Sequence, residues 1–142
     1  MNIFSTNEFE IKTGRTIEEM TSRLKLKGQV NGDKFAIYTE PYSIIPLTNL
    51  TGQLSTNDKY TIVYFKVDAT ITIRLFFYFI ATFIILGSLY FVTLSFKEGV
   101  YKGETHAILI FGLVGYIILQ LAYKTSVDKQ EGAMRQLIRD RD

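Results

Sequence analysis

The chain has 142 residues, and among them are no cysteine, a single histidine and two prolines. The lack of cysteine excludes disulfides, thiolate metal sites and a cysteine nucleophile, and it suits a domain on the cytosolic side of a membrane. One histidine, His106, cannot build a metal site alone. It also forms no nucleophilic triad with Ser43 or Ser55, because it is expected at the far face of a membrane segment. The net charge is only +2, and Lys and Arg are spread along the chain. No basic stripe of the kind that binds nucleic acid is present. The nearest cluster, Arg135, Arg139 and Arg141, follows an apolar segment, where lipid phosphate is the expected partner. Gly14, Gly28, Gly32 and Gly52 lie too far apart for a phosphate-binding loop. The first residues, Met-Asn-Ile-Phe-Ser-Thr-Asn-Glu, show neither the basic nor the apolar region of a secretory signal. The first apolar run is therefore expected to act as an internal anchor.

Two uncharged runs dominate what is there. Residues 75–96 form a 22-residue stretch with fourteen Leu, Ile, Val or Phe. At about 1.5 Å per residue it reaches about 33 Å, enough to cross a hydrocarbon layer of about 30 Å. A soluble core helix is rarely apolar on all sides over that length. Residues 105–123 add 19 positions with no Asp, Glu, Lys or Arg, interrupted by Gly112, Gly115 and Gln120. The short connector 97–104 makes the pair an antiparallel hairpin. Stripes at four-then-three spacing predict the contact: Ala81, Ile85, Ser88, Val92 and Ser95 on one helix, and Ile108, Gly112, Gly115, Leu119 and Ala122 on the other. Small residues (Ala81, Ser88, Ser95, Gly112, Gly115, Ala122) allow close approach in lipid, where hydrophobicity no longer drives association. The same stripes would also serve self-association.

Orientation is expected from the cations. Lys59, Lys66 and Arg74 precede the first run, and Lys124, Lys129, Arg135, Arg139 and Arg141 follow the second. The connector has only Lys97 and Lys102. Eight against two places both termini in the cytoplasm. Tyr78, Tyr90, Tyr101 and Tyr123 fall near the run ends, as an interfacial aromatic belt would.

The first seventy residues read as β-rich with one helix. Residues 8–13 alternate as a strand. Thr16-Ile-Glu-Glu19 is a capping box, and Ile17, Met20 and Leu24 give the buried stripe of a short helix. Asn31-Gly32 marks a tight turn between strands at 27–30 and 34–39, which Pro41 interrupts. Residues 44–54 suggest a strand broken or bulged around Pro46 and Gly52. Ser55-Thr-Asn-Asp58 reads as a turn, and 60–67 as the strongest strand, rich in β-branched and aromatic residues. The tail 126–139 carries Val127, Met134, Leu137 and Ile138 on one helical face. It is open at this point whether it continues the second apolar helix, docks on the sheet or lies on the bilayer. The fold class expected is an α+β membrane protein. A small antiparallel domain with one helix (β-α-β-β-β-β) spans 1–70. A transmembrane hairpin spans 71–124, and a cytoplasmic amphipathic tail 125–142.

Four features carry a resemblance. They are Gly28 and Val30 before a turn, then Phe35-Ala-Ile37, then Pro46, Gly52 and Leu54, then Tyr60-Thr-Ile-Val63 ahead of a membrane hairpin. With these the chain resembles a group of small, uncharacterised bacterial membrane proteins with a β-rich N-terminal domain and a two-helix transmembrane hairpin. That likeness implies a fold and a bacterial inner-membrane location, not an activity. The order of elements also resembles a reduced helix-grip layout, an arrangement that often encloses an apolar ligand.

No catalytic, cofactor or metal residues are assigned. Glu18 and Glu19 have a role at a helix start, where negative charge is favourable. Glu8 and Glu10 are a second pair of acids near the start, and a catalytic pair would need a pocket and a raised pKa. Asp58 and Asp68 are expected at a turn and a strand end, and Gln120 at a helix–helix hydrogen bond. Three non-enzymatic functions follow. The first is a membrane-anchored binding or assembly module, whose partner is a membrane protein or a second copy. The second is a domain holding a lipid or apolar ligand against Phe35, Ile37, Ile62 and Tyr64. The third is a small oligomeric channel or transporter accessory.

Overall fold

The computed structural model describes residues 4–37, 46–100 and 103–139. Pro41, Ser43, Ile44, Tyr101, Lys102 and Arg141 lie outside the described residues. The chain divides into two compact units, residues 1–70 with 123–142, and residues 71–122.

In the first unit the element order is β1 (Asn7–Thr13), α1 (Ile17–Lys25), β2 (Gln29–Asn31), β3 (Lys34–Ile37), β4 (Thr48–Asn57) and β5 (Tyr60–Ala69). The strands form one antiparallel sheet in the order β1-β5-β4-β3-β2. Thr16 caps α1 by accepting from the Glu19 N–H at 3.2 Å, and Met20 and Leu24 are the fully buried positions of that helix.

Three local expectations shift. The β2–β3 turn is Gly32-Asp33, one residue later than Asn31-Gly32, because Asn31 pairs with Lys34 and the positive φ (64°) falls on Gly32. Ser55, Thr56 and Asn57 are strand, not turn. They pair with Ile62, Thr61 and Tyr60, leaving Asp58-Lys59 as the hairpin loop. β4 is continuous, with no bulge at Gly52. Gly52 is needed for another reason: a Cβ there would collide with the Phe35 ring and the Tyr64 carbonyl oxygen.

Register assigns the two faces of the sheet. Ile11, Phe35, Ile37, Leu50, Leu54, Val63, Phe65 and Val67 share one face, and all but Ile11 are buried. Phe9 stacks on Phe65 there, with ring centroids 5.1 Å apart. This face is covered by α1 and by the end of the last helix, α3 (Glu104–Arg139). The tail is therefore a direct continuation of the second apolar run, and residues 123–139 belong to the sheet's unit. Tyr123, Ser126, Val127, Gln130, Met134 and Ile138 fall on one side of the helix and are buried.

Named contacts fix this docking at both ends. Tyr123 packs on Phe4 (5.1 Å) and donates to the Ser5 carbonyl at 2.6 Å. Ser126 shares a buried 2.9 Å hydrogen bond with Thr48. At the far end Arg23 donates to the Leu137 carbonyl at 3.0 Å and Arg15 to the Ile138 carbonyl at 3.2 Å. The last carbonyls of a helix have no partner within it and carry partial negative charge, so two guanidinium groups satisfy both needs.

The second unit holds α2 (Ile71–Glu98) and the first part of α3. Both helices are long and apolar enough to cross a membrane. They run antiparallel: Phe77 meets Tyr116, Ile84 lies on Gly112, and Gly87 faces Ile108. The seam on α2 differs by one residue from the predicted stripe. Ile85 is 59% exposed and Val92 is exposed, whereas Ile84 and Phe91 are half-buried. Ala81, Ser88 and Ser95 flank the seam half-buried. On α3, Gly112 is buried under Ile84, whose side chain a Cβ there would strike. Gly115 has nothing within 4 Å of where its Cβ would stand, and Ala122 is half-buried.

Candidate binding face of the sheet

With one face packed against helices, the other is left open. Its residues alternate with the core residues on every strand, and register arranges them in rows. Glu8, Lys66, Thr51, Ala36 and Gln29 stand abreast, and next to them Glu10, Tyr64, Gln53, Lys34 and Asn31. Between and around these rows lies a hollow of about 630 Å³, within the range of small-ligand sites. Phe9, Phe65, Gly52 and Phe35 also border it. Their side-chain positions are on the packed face, so they contribute backbone floor. The walls are the side chains of the two rows other than Glu10, with the small Ala36 among them.

The chemistry of the hollow is polar with one aromatic. Tyr64, 44% exposed, stands beside Gln53, whose amide donates to Asp33 at 2.5 Å. Lys66 reaches Asp68 at 3.4 Å, and Asp68 accepts from Thr6 at 2.6 Å. Amides, a hydroxyl, a phenol and lysines on both sides of Tyr64 can hydrogen-bond and stack against a polar ligand or a polar protein surface.

The four residues expected to face an apolar ligand do not meet in one cavity. Phe35 and Ile37 belong to the packed face, and Ile62 and Tyr64 to the open one. The interior between sheet and helices, where a helix-grip fold keeps its ligand, is filled by Leu50, Leu54, Val63, Val67, Val127, Met134 and Ile138. Sequence reasoning singled out Ile62 and Tyr64 on the open face and missed the rest of it, because those other residues are unremarkable singly. The available signal was the alternation itself, with polar residues between core residues on four strands and small residues at Ala36 and Gly52.

Of the acids singled out earlier, Glu8 borders the hollow and four others have partners close by. Glu19 pairs with Arg15 and Arg23. Glu10 lies 3.8 Å from Lys12, and Asp58 follows the Asn57 side chain that accepts its N–H. Among the described residues, no group of three or more His, Asp or Glu is placed to hold a metal ion. Within the apolar helices, Gln120 donates to Tyr116 at 3.3 Å, one turn away on the same helix. His106 is exposed in the first turn of α3.

Compared with protein-family models, with curated proteins and with solved structures, the chain finds no match in any of the three.

Proposed function

We propose that the chain is a membrane-anchored, non-enzymatic binding module: the helical pair holds it in a bilayer, and the open sheet face engages a polar partner. The observation that carries this is the contrast between the two faces of the sheet. One is packed with side chains over its centre, with a smaller hollow of about 460 Å³ at its edge between β1 and the end of α3. The other bears the 630 Å³ hollow around Tyr64 and Gln53. Anchoring is supported by the exposed apolar surface of α2 and of α3 up to Leu121, which water would not tolerate uncovered at this extent. A bacterial inner membrane with both termini cytoplasmic fits the antiparallel pair and the eight-to-two excess of flanking cations.

The lipid-ligand alternative loses its natural cavity to core packing. The channel alternative has no Asp, Glu, Lys or Arg to draw on within residues 75–96 and 105–121.

The test is co-purification in native-lipid nanodiscs with mass spectrometry, comparing the natural chain with Thr51→Arg, which fills the hollow. A partner held by the natural chain and lost with Thr51→Arg is the expected result. A partner retained by the variant would move binding off this face. Enrichment of one lipid class alone would put the ligand-binding alternative ahead.

A further inference from the structure

Where α1 ends, ahead of β2, stands a cation–leucine–cation segment, Lys25, Leu26 and Lys27. Its backbone is pinned: the N–H groups of Lys27 and Gly28 both donate to the Leu24 carbonyl, at 3.0 and 2.9 Å. Leu26 nonetheless points outward and is 83% exposed. Among the described residues of the first unit, only Leu26 and Tyr64 are large apolar or aromatic side chains left exposed, and Tyr64 belongs to the hollow. A single exposed leucine is ordinary on a protein surface. Its place in the fold is what distinguishes this one.

Gly28 fixes that place. A Cβ on it would collide with the Ala36 carbonyl and come within 3.0 Å of the Ile37 side chain. The segment therefore sits at the end of the sheet where Ile37, Leu50 and Val67 stand abreast. The chain leaves the sheet from that same end: β5 finishes at Ala69 and α2 begins at Ile71.

We infer that Lys25–Leu26–Lys27 is a bilayer contact in which Leu26 enters the interfacial layer and the two lysines hold anionic phospholipid headgroups. This rests on the membrane reading of α2 and α3 and adds the lipid class and the residues that meet it. One leucine and two lysines would bind a membrane weakly from solution. Because the sheet is joined to α2 directly after Ala69, the encounter is intramolecular, and weak contacts suffice. Lysine suits the position because its alkyl stem lies along the apolar layer while its ammonium stays with the phosphates.

The chain has no tryptophan, so Leu26→Trp introduces a unique fluorophore at an exposed position. The full chain is reconstituted in vesicles of phosphatidylcholine and phosphatidylglycerol in equal parts, with lipid brominated high on the acyl chain as quencher. Phe83→Trp, inside α2, serves as the reference. Expected are blue-shifted, quenched emission for Leu26→Trp, and quenching about 2-fold weaker in phosphatidylcholine alone or after Lys25→Gln with Lys27→Gln. Unquenched, water-like emission from Leu26→Trp beside a quenched Phe83→Trp would overturn the contact while leaving the membrane reading intact. If neither probe is quenched, the membrane reading fails and the contact with it. Equal quenching in the two lipid mixtures would overturn the role of the lysines.

Discussion

The two halves of α3 differ as sharply as two proteins would. Before Tyr123 the helix shows large apolar side chains on most of its circumference: Ile110, Phe111, Leu113, Val114, Ile117, Ile118 and Leu121 are exposed. After it, Val127, Met134 and Ile138 are buried on one face while Lys124, Asp128, Lys129, Arg135 and Gln136 are exposed. The backbone is helical throughout. What changes is the solvent each half is written for. An all-round apolar helix can bury its surface only in lipid or in a partner, and a one-sided helix buries its stripe on its own domain. A single element thus states two environments, and the change falls at Tyr123, whose hydroxyl is already bonded to the Ser5 carbonyl.

The comparison can be broken by truncating one side chain on each side of that boundary. Met134 is 2% exposed, so Met134→Ala should cost about 2–5 kcal/mol in unfolding of the sheet domain. Leu113 is 61% exposed, and Leu113→Ala should stay within about 0.5 kcal/mol. Thermal unfolding in mild detergent, followed by circular dichroism, measures both. Equal costs would mean that the two halves share one environment.

Next in size is a contrast inside the apolar half. Gly112→Leu should destabilise the helix pair by about 1–3 kcal/mol because the new side chain meets Ile84. Gly115→Leu, with nothing near its Cβ, should be close to neutral. Steric trapping of the hairpin in bicelles would separate the two, and the reverse order would displace the seam.

Arg23→Ala removes the donor to the Leu137 carbonyl and should weaken docking of the tail by about 1 kcal/mol. Faster amide hydrogen exchange confined to the last turns of α3 is the signature. The smallest effect belongs to Ser88→Ala. The Ser88 hydroxyl is buried without a hydrogen-bond partner, so its removal should leave hairpin stability unchanged or slightly raised. A clear loss in the same trapping assay would show that this hydroxyl has a partner in lipid.

Legibility in the sequence followed the range of the interactions. Local signals were readable. Thr16 and Glu19 announce the start of α1, and the residues from Tyr60 onward announce β5, because capping and alternation act within a few positions. Gly52 misled, because a glycine in a strand reads as a bulge. Its actual partner is the Phe35 ring on the neighbouring strand, a contact no local pattern contains. Of the expected turn Ser55–Asp58 only Asp58 is turn, with Lys59, since Ser55, Thr56 and Asn57 favour turns by type and become strand only through pairing with β5. The α2 seam came out one residue off, with Ile84 in place of Ile85, because an all-apolar helix carries no amphipathic stripe to orient it. The docking of the tail depends on α3 running unbroken through residue 123 and on Arg15 and Arg23 meeting its last carbonyls. The hollow at Tyr64 and Gln53 needs the register of all five strands.

The most direct test of the two-environment helix is a single-cysteine scan of α3, which the absence of native cysteine makes clean. Each position from His106 to Arg139 is replaced in turn, and the reconstituted protein is labelled with a water-soluble maleimide. Protection should be continuous through the apolar stretch up to Leu121. Beyond Tyr123 it should become periodic, with Asp128 and Arg135 reactive and Val127 and Met134 protected. A helical period of protection running through the whole scan, with Leu113 and Phe111 labelled as fast as Asp128, would contradict it.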